Sequence, residues 1–207
     1  MIILDHEQGS DEWLVSRLGK ITGSNMSKLI TSTGKKSTSA DGYINQLIAE
    51  RLTGEITTSY VTPAMERGSE LEAKARTWYE FLTDSEVIET GLCLHDEFPD
   101  VGISPDGLIQ GDNGRFHGLE IKCPEAKTMV SYLRAKKLPS QYVAQVQACI
   151  WVTDADWWDF VAYHPKMKPL HIRILRDDEY IAEMAAIVSE AVETINYQVE
   201  NLRSYDD

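Results

Sequence analysis

Apolar residues recur at two periods along this chain and divide it into helical and extended stretches. Tyr43, Ile44, Leu47, Ile48 and Leu52 repeat at helical spacing ahead of Gly54, which predicts an amphipathic helix over 40–53. Ser10 to Leu18 predicts a shorter helix with Trp13, Leu14 and Leu18 inward and Gly19 as its stop. Thr22-Gly23-Ser24 opens a second one through about Ile30, and the polar loop at 32–39 that follows reads as mobile. Thr62-Pro63 supplies a cap and a first-turn proline for a longer helix, whose inward stripe is Met65, Gly68, Glu72, Ala75, Tyr79 and Leu82. Helices over 125–137 and from Pro139 to about Val152 come later. Tyr180, Met184, Ile187, Ala191, Ile195, Val199 and Leu202 mark a long last helix that docks on its own domain or on a neighbouring subunit.

Extended segments fill the middle. Val87–Thr90 and Leu92–His95 lead into a hairpin, with Ile103, Leu108 and Ile109 before an Asp112-Asn113-Gly114 turn and Leu119 and Ile121 after it. Trp157–His164 and Leu170–Leu175 add two strands around a Pro165–Pro169 turn. Helices surrounding a hairpin-rich middle predict an α/β (α+β) domain with a central mixed sheet, and 207 residues fit one domain over 1–207.

Composition narrows the function. No basic region with an apolar run opens the chain and nothing approaches a membrane span, so a cytoplasmic protein with no membrane partner is expected. Cys93, Cys123 and Cys149 are odd in number and lack CxxC spacing, which points to small buried hydrophobes rather than a disulfide framework or a metal cluster. The net charge of −13 is unevenly spread: five basic residues and no acid lie between Trp13 and Ala40, whereas nine acids face Arg203 alone from Asp177 onward. A basic inner surface on an acidic body is compatible with a nucleic-acid partner, and Lys35 and Lys36 are candidate backbone contacts or plain solvated charges. The histidines show no ligand spacing.

The chemistry concentrates between Ser104 and Pro124. Period two puts Glu120 and Lys122 on one face of a strand and Leu119, Ile121 and Cys123 on the other, and the returning hairpin sets Asp106 beside Glu120. Two carboxylates suit a hard cation such as Mg²⁺, and a lysine beside them can orient water or steady a pentavalent phosphorus. The same spacing also suits a solvated hairpin with a cross-strand ion pair. Glu72, in the middle of an inward stripe, needs a cation or a donor to meet it. Hydroxyls and glycine at 22–24, with Arg17 near, make a phosphate seat or an ordinary N-cap. Gln145 is either an active-site amide or a buried glutamine that satisfies backbone groups.

Pro105-Asp106 with Glu120-Ile121-Lys122 is a PD-(D/E)xK pattern, and SPDGL, LEIKCP, YVAQVQ at 142–147 and WLVSRLGKITGS at 13–24 surround it in order. Together these resemble the phage-lambda-type alkaline exonucleases, the YqaJ-type viral recombinases. The resemblance implies a restriction-endonuclease-like fold and a Mg²⁺-dependent exonuclease that digests double-stranded DNA 5′ to 3′, releases mononucleotides and leaves 3′ overhangs for recombination. It further implies that Asp106 bridges two Mg²⁺ ions, with Mn²⁺ a substitute, that Glu120 and the Ile121 carbonyl complete the first, and that Glu72 helps hold the second. Lys122 would position water, and Arg17, Ser24, Ser104 and Gln145 would hold a 5′-terminal phosphate. A ring-shaped homotrimer, a single-strand-annealing partner and a phage or prophage setting in a bacterial host are implied in the same way. An endonuclease or nickase of the same superfamily, and a non-catalytic DNA-end-binding scaffold, are the alternatives.

Overall fold

The computed structural model describes residues 1–57, 63–111 and 114–204, without the side chains of 63–66 and 69. Asp112 and Asn113 of the expected hairpin turn, the Thr62 cap and the Met65 side chain lie outside the described residues.

Among the described residues, two four-stranded sheets form in place of one. The first holds β1 (Ile2–Leu4), β2 (Ile21–Thr22), β3 (Leu92–Leu94) and β4 (Val101–Ile103) in the order β1-β3-β4-β2, with β2 and β4 parallel and the other pairs antiparallel. The second holds β5 (Gly107–Gln110), β6 (Phe116–Lys122), β7 (Trp157–Ala162) and β8 (Leu170–Leu175) in sequence order. Its β6–β7 pair is parallel and needs a helical crossover, while β5–β6 and β7–β8 are antiparallel. The mixed α/β class therefore holds, but the hairpin does not extend back to Ile103. That residue pairs with Cys93 in the first sheet, and the chain changes sheets through Ser104, Pro105 and Asp106. The expected strand at 87–90 reduces to a single bridge between Ile88 and Leu108.

Among the described residues, six α-helices surround the sheets: α1 (Asp11–Arg17), α2 (Ala40–Thr53), α3 (Pro63–Thr83), α4 (Ala126–Ala135), α5 (Val143–Thr153) and α6 (Asp178–Arg203). The Ser10 hydroxyl accepts from the Trp13 N–H to start α1, and Gly54 ends α2 in the left-handed region. At 23–28 the expected α-helix is a 3-10 segment, and the Thr22 side chain does not cap it. The loop read as mobile is pinned: Ile30 bridges Lys36, and the Tyr180 hydroxyl of α6 donates to the Thr31 carbonyl at 2.9 Å.

α5 is the central helix. Apolar nearly all round, it is buried from Val146 to Thr153 and touches β3, β4, β6, β7 and α6. α6 docks against α2 and α5 of its own chain through Met184, Val188, Ala191 and Ile195, with Leu202 left exposed at its end. The outer face of β6 carries Leu119 and Ile121 against Ala75 and Tyr79 of α3. The α3 stripe ends there, since Leu82 is exposed.

Candidate active site

Asp106 sits in the crossing between the sheets, immediately before β5. Its Oδ2 accepts the Ile121 backbone N–H at 2.6 Å, which locks the carboxylate to the strand that carries the other candidates. Period two along β6 turns Glu120 away from α3 toward α5, where it is 1% exposed. There Glu120 Oε1 accepts from Gln145 Nε2 at 2.7 Å and pairs with Lys122 Nζ at 2.5 Å. Glu120 Oε2 is buried without a hydrogen-bond partner among the described residues. The solvated-hairpin alternative fails here, because the pair lies along one strand and its acid is out of water.

Glu72 arrives from α3. The donor that a carboxylate on this face requires is Arg76, one turn on, whose Nη2 reaches Glu72 Oε1 at 2.9 Å. Glu72 and Asp106 form the wall shared by two cavities. One, of about 430 Å³, is lined by Arg67, Gly68, Lys122 and Tyr142 as well; the other, of about 520 Å³, by Gln8, Trp13, Arg76 and Glu89.

The electrostatics follow from crowding acids in a small volume. Burial, then the Glu120 charge, raise the Asp106 carboxyl to about 7 against the relief given by Lys122 and the Ile121 N–H. Burial, then Asp106, raise Glu72 to about 7. Lys122 is held well above its ordinary value: burial opposes its charge, but Glu120 and Asp106 outweigh burial. Two carboxyls raised by burial and by neighbouring acids, and a buried oxygen with no donor among the described residues, are the chemistry of a cation site, and the all-oxygen set fits a hard divalent ion. As arranged, Glu120 is turned to Lys122 and Gln145 and Glu72 to Arg76. No three Asp, Glu, His or Cys side chains among the described residues stand close enough together to hold a metal ion.

The expected phosphate seat partly assembles. Arg17 donates from Nη1 to Ser104 Oγ at 2.9 Å and from Nη2 to Ser24 Oγ at 3.4 Å, and its guanidinium lies over the Trp13 ring. Trp13 Nε1 also donates to Ser104 Oγ, and burial lowers the Arg17 pKa. Ser104 is two residues before Asp106, so this cluster abuts the acids. Gln145 is engaged with Glu120 instead. Lys36 is paired with Glu190 of α6 at 2.9 Å, and Lys35 lines a shallow surface beside Asp177 and Glu179, so neither joins the acids.

Sequence reasoning passed over Arg76, Arg67 and Tyr142. Arg76 carried a signal, an arginine four residues after an acid on a helix. It also passed over a second polar centre. Asp159 of β7 is fully buried and accepts from Arg173 Nε and Nη2 at 2.9 and 2.8 Å and from the Tyr79 hydroxyl at 2.7 Å. His171 Nε2 lies 3.0 Å from the same carboxylate, though it makes no aligned hydrogen bond.

Comparison with known proteins bears on this geometry. The model of the YqaJ-like viral recombinase domain matches residues 12–156, which carry every acid of the site. The chain belongs to this family. An alkaline exonuclease from Laribacter hongkongensis, LHK-Exo, is 35% identical with a TM-score of 0.84, over 95% of this chain and 98% of that one. Its complex with dAMP matches over the same shares at 34% identity and a TM-score of 0.84. A phage-related exonuclease from Haemophilus somnus shares the fold at 15% identity and a TM-score of 0.67, over 88% of this chain and 96% of that one. This family member has the alkaline-exonuclease fold.

Proposed function

We propose that this protein is a divalent-metal-dependent exodeoxyribonuclease that degrades double-stranded DNA from a 5′-phosphorylated end, releases mononucleotides and leaves 3′ single strands for recombination. The observation that carries the proposal is the meeting of Asp106 and Glu72 at the wall between two cavities, with Lys122 lining one of them and paired with buried Glu120. Likeness to an alkaline exonuclease along nearly the whole chain supports the reaction class, and the dAMP complex of that relative supports a deoxynucleoside monophosphate as product. Asp106, Glu120, the Ile121 carbonyl and Glu72 would hold two Mg²⁺ ions, with Mn²⁺ as a substitute. When bound, such ions stabilise the attacking and leaving oxygens of an in-line phosphoryl displacement.

The chain's own groups divide the remaining work. Glu120 and Asp106 keep Lys122 protonated, so it serves as a donor that orients the attacking water or steadies charge on the phosphoryl oxygens. Arg17, held over Trp13 and bonded to Ser24 and Ser104, offers a fixed guanidinium to a terminal phosphate. Gln145 holds Glu120 in place. A ring of three chains around the DNA would give processivity. A single-strand-annealing protein would then use the exposed strand.

Incubation of linear and covalently closed duplex with the protein and with its Asp106→Ala variant tests the class. Loss of the linear DNA alone, and only with the unaltered protein, is expected. Cutting of the closed circle would point to an endonuclease, and equal slow loss with both proteins to a scaffold.

A further inference from the structure

Arg76 contacts more of this site than any role above assigns to it. Its Nη2 lies 2.9 Å from Glu72 Oε1, its Nε donates to the Asp106 carbonyl at 3.2 Å, and its Nη1 lies 2.7 Å from Glu89 Oε1. Three N–H groups of one planar cation thus reach three chain segments, with the side chain only 13% exposed. A lysine ammonium in the same place is a point charge on a flexible stem and cannot span these acceptors.

The surrounding helix explains why such a brace matters. At Ala75 and Tyr79, α3 is clamped to the second sheet, Tyr79 by its hydrogen bond to buried Asp159. One turn before Glu72, a side chain at Gly68 would meet nothing within 4 Å, and Arg67 donates to the Cys123 carbonyl at 3.1 Å. Glu72 stands one turn before this clamp, and Arg76 reaches back from the clamped turn to hold it. The same guanidinium grips the main chain of Asp106, so the two acids are spaced through it. We propose that Arg76 is a positioning residue that holds Glu72 and the Asp106 backbone in the relative placement a divalent cation requires. This rests on the nuclease reading for its purpose, although the placement itself is measurable without hydrolysis.

Mn²⁺ binding to the DNA-free protein, titrated by electron paramagnetic resonance, tests it in the unaltered protein, Arg76→Lys, Glu72→Gln and the double variant, with thermal melts alongside. Arg76→Lys keeps the charge, so its effect reads placement; about tenfold weaker Mn²⁺ binding is expected, with a similar loss in kcat for linear duplex and an unchanged KM. In the Glu72→Gln background the lysine change should have a smaller further effect, through the Asp106 carbonyl alone, whereas a general loosening of the helix would add its full effect. Binding by Arg76→Lys equal to the unaltered protein would overturn the inference, as would absence of Mn²⁺ binding by the unaltered protein. Should the lysine variant not fold, Arg76→Gln replaces it. Loss of a nearby positive charge alone would tighten cation binding, so weaker binding there supports the role and tighter binding refutes it. Mn²⁺ binding weakened by Arg76→Lys in a protein that leaves linear DNA intact would sink the nuclease reading and leave this one standing.

Discussion

Burial and the charge of Glu120 both oppose ionisation of Asp106, and its carboxyl is raised from 3.8 to about 7. A carboxyl raised on folding contributes stability that is present below its unfolded value near 4 and is lost as pH rises through about 7. In EDTA at pH 8 the ionised acid is thus a net strain, and Asp106→Asn should stabilise the protein by about 1–3 kcal/mol while abolishing hydrolysis. Urea unfolding measures this; an asparagine variant no more stable than its parent would contradict the electrostatic picture. Asp159 has the opposite sign. Burial works against its charge, but Arg173, His171 and Tyr79 prevail and lower it to about 2. Its contribution is present above the unfolded value near 4 and is lost as pH falls toward 2. Asp159→Asn should accordingly cost roughly 1–3 kcal/mol at pH 7, because it removes the charge that half-exposed Arg173 pairs with, and this deficit should shrink in acid. A deficit that stays constant down to pH 2.5 would argue against this pairing.

β6 shows how much a short strand must satisfy at once. Gly118 pairs with Trp158 across the parallel junction, and a Cβ at Gly118 would lie 2.2 Å from the buried indole ring. Gly118→Ala should destabilise the fold by about 1–3 kcal/mol through overpacking, read as a lower midpoint in chemical denaturation. The strand's alternation was legible in the sequence, and with it the opposite facing of Leu119 and Glu120. So were β8 and α2, each bounded by glycine or proline punctuation. The change of sheet at Ser104–Asp106 was not legible, because a period-two pattern marks which face is buried and not which sheet a strand joins. The 3-10 segment at 23–28 was read as an α-helix since its start signals are shared by both. Glu72 stood out as an acid on a packed stripe. Its bond to Arg76 depended on rotamers that spacing alone does not set, and the Asp159 centre depended on a β7–β8 register, Asp159 opposite Arg173, that only the folded sheet supplies.

At the scale of the whole molecule, charge is sorted by position. A chain of net charge −13 places Arg67, Lys122, Arg76 and Arg17 around one acid-lined junction, while its acidic α6 packs on α2 and α5 and ties down Lys36. No described helix is long and apolar enough to cross a membrane. The ring proposed for this protein predicts a light-scattering mass of three chains; one or two would remove ring closure as the source of processivity. The most direct measurement of the central claim uses linear duplex carrying a label at one end or the other, with and without a 5′ phosphate, in Mg²⁺ or in EDTA. Early release of the 5′ label as mononucleotide, faster from phosphorylated ends and absent in EDTA, is the predicted result. Release of the 3′ label first, or undiminished digestion in EDTA, would contradict it.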